Sequence, residues 1–386
     1  MNTGKEKKSF WKNAGVQSVA ASLLCIVLGL LAGYIVLLCI NPAGAGKAIT
    51  SILKNFLYFP RREVALEYFG STLAKTAPLL MCTLSILFAY KVGLFNIGAS
   101  GQYAVGAGLS LYLGLAFHMP WYVCVIAAMI GGGLMGAAVG VLKAYLNVNE
   151  VIAGIMLNWI SLYCVNMLLT NVKESSTTYT AALKTNAPGA LLPSMGLNRL
   201  FSNNRYVTIA IPLAVIIAVG VWVFMEKTKL GYELKATGLN KNAAKYAGMK
   251  EKRNMILTMV IAGCLSGLAA SFLYLSGIEQ WSCAQTAVPA MGFNGIAAAF
   301  LGGLNPIGSV FSAFFIQHIT SGGSYVDKMI YCSQISDLIS AIIIYFCSFV
   351  LFFKQCMNQG LGRKKGGNPQ GVPLCTKNMC KKGGKN

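Results

Sequence analysis

Long apolar runs, each broken by a short polar or glycine-rich stretch, fill most of the chain. About 20 apolar residues cross the hydrocarbon core of a bilayer as a helix. Runs of that kind predict spans at Ala14–Ile40, Leu73–Tyr90, Ala99–Phe117, Trp121–Leu142, Val151–Leu169, Tyr206–Phe224, Met255–Gly277 and Cys332–Phe353. Val288–Leu301 and Ile307–Ile319 are shorter, with Gly302-Gly303-Leu304-Asn305-Pro306 between them, and read as a broken pair or a re-entrant hairpin. The expected fold is all-α and polytopic, with about 8–10 transmembrane helices and broken or re-entrant segments. Gly132, Gly136 and Gly140 add two overlapping small-xxx-small steps, which let helix backbones approach closely.

The breaks carry more information than the spans. Gly93–Gln102, Asn149–Ile152, Met156–Asn158, Gly231–Met249 and Gly302–Gly308 each set polar or glycine-rich backbone beside apolar runs. Such backbone is tolerated at membrane depth where it is buried in protein or lines a cavity.

Composition supports the membrane reading and charge orients it. The chain is 55% hydrophobic and 11% charged, with mean hydropathy +0.60, well below the charge content of a soluble domain. Of the 32 Lys and Arg residues behind the +21 net charge, 20 fall in three clusters. They are residues 1–13, the loop Glu226–Asn254 and the tail 354–386. Clusters flanking apolar spans follow the positive-inside rule, so nucleic acid is not the expected partner. The resulting plan is a cytoplasmic N-tail (1–13), a membrane domain (14–353) and a basic, disordered cytoplasmic C-tail (354–386). Residues 226–254 form a cytoplasmic loop and 171–205 an extracellular one. The segment Asn41–Ser71 falls outside despite Lys47, Lys54, Arg61 and Arg62, and its Phe56, Tyr58 and Phe59 suggest an interfacial stretch.

Enzyme chemistry finds no support. The chain has no G-x-x-x-x-G-K-[ST] phosphate loop and no H-E-x-x-H pair. Most of its twelve cysteines lie in apolar runs, where free cysteine acts as a small hydrophobe. Cys375 and Cys380 lack partner histidines, and His118 and His318 are isolated. Neither a metal nor a cofactor is expected. In the loop 226–254, Asn240 suits a helix N-cap and Gly248 the left-handed residue that ends a short helix. Ala243, Ala244 and Tyr246 supply apolar contacts between them. Such a helix suits a docking partner, while a solvated loop is the plainer alternative.

Four of these segments, in order, resemble the permease subunits of ABC importers for simple sugars and nucleosides, within the branched-chain amino acid and ribose permease superfamily. The carriers are Gly93–Gln102 (family pattern G-x-F-N-I-G-x-E-G-Q), Asn149–Ile152 with Met156-Leu157-Asn158, Leu234–Gly248 (L-[RK]-A-x-G-x-N-x-x-A-A-x-Y-x-G) and Gly292–Gly308. The nucleoside branch is the most similar. Ser100 stands where the family usually has glutamate, and Gly303 where a basic residue is common.

The resemblance implies a transport subunit, not an enzyme. Its partners would be ATPase subunits, a second permease chain (a heterodimer, or else a homodimer) and an extracellular substrate-binding lipoprotein. The path for the solute, nucleosides first and simple sugars second, would involve Asn96, Gln102, Asn158 and Gln317. Backbone breaks at Gly98, Gly101, Gly302, Gly303 and Pro306 would line it with unpaired N–H and C=O groups. The same amides can instead tie helix to helix. Leu234, Gly238, Asn240, Ala243, Ala244, Tyr246 and Gly248 would couple to the ATPase. A neutral solute is expected, on the view that the spans offer no charge to pair with an ionised one. The competing class, a self-contained secondary transporter or channel, calls for intramembrane carboxylates, and Asp337 alone lies well inside a predicted span.

Overall fold

A computed structural model describes residues 14–327 continuously and scattered positions between 331 and 356. Residues 1–13, Asp337 and everything beyond 356, with Cys375 and Cys380, lie outside the described residues, and the span Cys332–Phe353 is described only in part.

The helices, in order, are α1 (Ala14–Ile40), α2 (Pro42–Lys54), α3 (Arg62–Lys91), α4 (Ala99–Phe117), α5 (Trp121–Leu146), α6 (Glu150–Leu169) and α7 (Leu183–Asn186). They continue as α8 (Ala210–Lys227), α9 (Lys229–Leu239), α10 (Lys241–Tyr246), α11 (Glu251–Tyr274), α12 (Ala290–Leu301) and α13 (Pro306–Gly323). Among the described residues β-structure amounts to two isolated bridges. Among the described residues six helices, α1, α3, α5, α6, α8 and α11, are long and apolar enough to cross a membrane. The 19-residue α4 and 18-residue α13 reach spanning length with a more polar composition. The protein is an all-α, multi-pass membrane protein.

The apolar stripe of an ordinary soluble helix has no counterpart here, because hydrophobic residues surround most spans. What fixes the packing is close approach of small residues. On α5, a Cβ at Gly136 would collide with the Met259 carbonyl of α11, and one at Gly132 with the Gly263 carbonyl. Gly263 and Gly267 return the fit against Gly132 and Ala128. The small-xxx-small steps of the sequence thus form one seam, in which van der Waals contact between backbones replaces the hydrophobic drive that lipid removes.

Helix α3 is the most enclosed span, with α11 next. It starts well before the predicted Leu73, and Pro78 lies within it. The α12–α13 pair is antiparallel and passes through the bundle. Before α12, the Gln285 carbonyl accepts from Asn166 Nδ2 near the end of α6 (2.9 Å). In the last turn of α12, the ring of Phe300 meets Tyr90 at the last turn of α3 (5.3 Å between centroids). Beyond α13, Tyr325 returns to Tyr68 at the first turns of α3 (5.3 Å). The turn itself places Gly303 and Leu304 at φ 65° and 56°. Asn305 caps α13 by accepting from the Ile307 N–H (3.0 Å), with Pro306 following as a first-turn residue.

Two ends of the bundle can therefore be told apart. One carries α9, α10 and the α12–α13 turn. The other carries α2, the loop 170–209 and the loop 275–289. These last two loops are joined by Thr180 N–H to Trp281 O (2.9 Å) and Cys283 N–H to Thr178 O (2.8 Å). Trp281 is fully buried and donates from Nε1 to Asn166 Oδ1 (2.9 Å). Its anchoring explains why the 170–209 stretch, long and polar in sequence, folds into short turns rather than standing free.

Candidate solute site and coupling surface

Asn96, Gln102 and Asn158 are at most 2% exposed and form one closed knot. Asn96 Nδ2 donates to Gln102 Oε1 (2.8 Å) and Ser85 Oγ (3.0 Å), and Gln102 Nε2 donates back to Asn96 Oδ1 (3.1 Å). Ser85 passes its own proton to the Ala262 carbonyl of α11 (2.6 Å) and accepts from Ser266 (2.9 Å). Asn158 Oδ1 accepts from Gly101 N–H (2.7 Å), and its Nδ2 donates to the Ile97 carbonyl (3.0 Å). The knot fastens the break before α4 to α3, α6 and α11, since backbone left unpaired at that depth would be costly. In this conformation these three amides tie helix to helix, and offer a solute nothing.

The backbone breaks follow the same rule. Gly98 O accepts from Gln102 N–H (3.0 Å), Gly302 N–H donates to Ala298 O (2.9 Å), and Gly303 N–H to Phe300 O (2.9 Å). Gly98 faces Gly154 across the α4–α6 contact, and Pro306 is buried. At Gly98, Gly101, Gly302 and Gly303 at least one backbone group each is thus already paired within the bundle.

Gln317 has a different setting. It lines a cavity of about 330 Å³ between α3 and α13, at the end opposite α9 and α10. Lys75, Thr72, Thr320 and Ser321 share the wall, with Tyr68, Tyr206 and Tyr325 around them. Gln317 Nε2 donates to Ser321 Oγ (3.1 Å), and among the described residues its carbonyl oxygen takes no hydrogen bond. Thr72 and Thr320 donate to their own helices, to Tyr68 O (2.9 Å) and Ile316 O (3.0 Å); Thr72 Oγ1 also accepts from Asn55 Nδ2 (3.2 Å), while Thr320 keeps its oxygen lone pairs to accept. Burial, with Tyr68 beside it, pushes the Tyr325 phenol up to about 12, so it stays a neutral hydroxyl.

Lys75 is the residue that sequence reading passed over. It sits in the middle of α3, its Nζ 3.6 Å from a carboxylate oxygen of Glu279 in the loop 275–289. The expectation that the spans offer no pairable charge is thereby overturned. The signal was a lone lysine inside an apolar run, which by itself marks a functional candidate.

At the other end, the loop 226–254 is two helices, not a single short one. Asn240 Oδ1 accepts from the Ala243 N–H (3.0 Å) as the N-cap of α10, and Gly248 takes φ 79° just beyond it. Leu234 is fully buried, and Gly238 presses so closely on the Val92 carbonyl that a Cβ would not fit. Ala244 is 4% exposed. Leu234, Gly238 and Ala244 are thus turned inward in the loop rather than presented on its surface. Tyr246 (93% exposed), Ala243 and the unanticipated Leu239 (89%) present the free surface. Glu226, shared between Lys91 (3.2 Å) and Lys235 (2.9 Å), pins the start of the loop to the end of α3. Nearby, Lys143 of α5 meets Glu150 at the start of α6 (2.7 Å). Among the described residues no cluster of side chains suits a metal.

The model of a family described as "branched-chain amino acid transport system / permease component" matches residues 68–348. The chain belongs to this permease family. As a permease it is a multi-pass transport subunit of the cell membrane, and not an enzyme. It is similar to the guanosine ABC transporter permease protein NupP of Bacillus subtilis, 32% identical over 90% of this chain and 97% of that one. The nucleoside ABC transporter permease protein NupB of Lactococcus lactis is 34% identical over 86% of the permease and 92% of its own length. A second guanosine permease protein of B. subtilis, NupQ, is 26% identical over 64% of the chain. No solved structure matches the permease.

Proposed function

We propose that the chain is one of two permease subunits of an ATP-driven importer for nucleosides. The observation that carries this reading is the match over nearly the whole length of relatives named for guanosine and nucleoside transport. The wall chemistry supports it. Hydroxyls, an amide and phenols suit a solute rich in hydroxyl and amide groups, and the Lys75–Glu279 pair cancels its own charge.

The partner is a second, related permease. The chain resembles NupP far more completely than NupQ, two proteins of one organism, so it takes the place of one member of an unlike pair. The basic loop 226–254 faces the cytoplasm with both tails, in keeping with the positive-inside rule. Leu239 and Tyr246 then dock on a separate ATPase, since large apolar side chains this exposed on a basic aqueous face want cover. The opposite end, with its polar cavity, receives solute from an extracellular binding lipoprotein.

Uptake of radiolabelled guanosine, adenosine, ribose and glucose by cells with and without this chain tests the solute. Nucleoside uptake that depends on the chain is expected. Uptake confined to an amino acid or a phosphorylated compound would refute the reading. Replacing Tyr246 by Glu is expected to abolish uptake and ATPase co-purification at unchanged abundance, and survival of both would remove the coupling role.

A further inference from the structure

The outer cavity has a feature that a merely polar vestibule would not need. Its lysine and the carboxylate beside it stand in the membrane domain, yet their contact is loose. At 3.6 Å, with side chains 39% and 48% exposed, Lys75 and Glu279 satisfy little of each other's hydrogen-bonding capacity. An exposed pair of this kind contributes about 0–1 kcal/mol to stability, so holding the fold is a poor reason for a lysine within a span. Among the described residues Lys75 takes no other ion pair. Its ammonium has three donors and the carboxylate two acceptor oxygens.

Lys75 lines the outer cavity, while Glu279 lines a second, smaller cavity of about 180 Å³, under the loop that carries Thr180 and Lys184. Ile278 lines both cavities. The pair thus stands at the junction of two polar spaces. A cavity walled by Lys75, Thr72, Gln317 and Ser321 does not face hydrocarbon, where such groups would go unsatisfied, and is open to water from the outer side.

We infer that Lys75 and Glu279 form a recognition site for the vicinal hydroxyls of the solute, the 2′,3′-diol of a ribonucleoside. This rests on the nucleoside reading above. Two neighbouring hydroxyls donate to the two oxygens of Glu279, and one of them accepts from Lys75. The geometry suits a carboxylate, which takes two donors side by side. The site carries no net charge, so it takes a neutral ligand without leaving an unpaired ion. The free carbonyl of Gln317 and the acceptor oxygen of Thr320 remain for the N–H edge of the base. Glu279 is then a specificity residue that separates ribonucleosides from nucleosides without the diol.

The test compares uptake of guanosine and 2′,3′-dideoxyguanosine by cells carrying the complete transporter, at external solute well below the KM of each. Wild type is expected to move guanosine faster. In Glu279→Gln the preference is expected to fall by about tenfold, the weight of one lost charge-assisted hydrogen bond. The loss falls on guanosine, with the dideoxy rate held, while Glu279→Asp keeps the preference. A wild type with no preference, or equal loss of both solutes at equal abundance, would overturn the assignment. If Glu279→Gln does not accumulate, a thiol at Thr320→Cys serves instead. Guanosine should shield it from an impermeant reagent and dideoxyguanosine should not, and equal shielding by both also overturns the assignment. The two readings fail separately. A wild type that moves neither nucleoside sinks the nucleoside function and the diol site together. Guanosine transport with an unaltered ratio in Glu279→Gln sinks the diol site alone.

Discussion

Two polar clusters lie inside this bundle, and they differ in what their hydrogen bonds face. In the knot of Asn96, Gln102, Asn158 and Ser85, each side-chain amide bonds to a neighbouring element, and exposure of the amide residues is at most 2%. Around Lys75 and Gln317, one amide oxygen stays free, the Thr320 hydroxyl keeps its lone pairs, and the Lys75–Glu279 pair is loose. Both clusters satisfy the rule that polar groups at membrane depth must find partners. The knot finds them in protein. The cavity leaves room for water or a solute to supply them. Amide residue types alone do not separate the two cases; the remaining hydrogen-bonding capacity does.

The sharpest way to break this contrast is Asn158→Leu. It removes the partner of Gly101 N–H and of the Ile97 carbonyl at a buried position, where Asn158 is 2% exposed. Each buried group left unpaired costs about 1–3 kcal/mol, so the chain is expected to vanish from the membrane or to lose thermal stability steeply. A thermal-shift measurement on the solubilised permease checks it. A variant with wild-type abundance and stability would show that the knot does not hold the fold.

A double-mutant cycle on Asn96→Ala and Gln102→Ala is expected to be strongly non-additive. Their two reciprocal bonds are lost once, so the second substitution adds little to a first cost of about 1–3 kcal/mol. Additive losses would mean the two amides act apart.

Gln317→Ala should behave in the opposite way. Its one bond goes to Ser321, so stability should fall by about 1 kcal/mol or less. The KM for nucleoside uptake should rise severalfold. Unchanged uptake kinetics would remove Gln317 from the solute path.

Lys91→Met marks the weak end of the scale. Glu226 keeps Lys235 as a partner, and a solvent-facing pair contributes about 0–1 kcal/mol, so thermal stability should barely move. A large loss would make that end of α3 a third structural centre.

Much of this was legible in the sequence, for a physical reason. Apolar runs mark spans because lipid leaves few alternatives, and the glycines at 132, 136 and 140 mark a seam because nothing larger fits. Asn240 and Gly248 announced α10 through local backbone chemistry. Three-dimensional facts were not legible. Whether Asn96 bonds to a solute or to Gln102 depends on where the break before α4 folds back, which spacing does not encode. Ala244 and Tyr246 lie two residues apart and so on opposite faces of α10, but which face turns inward is not written in the spacing; the first is buried and the second exposed. Lys75 and Glu279 lie some two hundred residues apart, so the pair appears only once the loop 275–289 settles over α3.

The central claim is that the knot is closed and the cavity is open to the solute. Thiol labelling from outside intact cells tests it most directly. Single cysteines are placed at Asn96 and at Gln317 in a chain whose native cysteines have been replaced. The Gln317→Cys thiol is expected to react with a membrane-impermeant reagent and to be shielded by guanosine, while the Asn96→Cys thiol stays unreactive. Guanosine-shielded labelling at Asn96→Cys, with none at Gln317→Cys, would contradict the account.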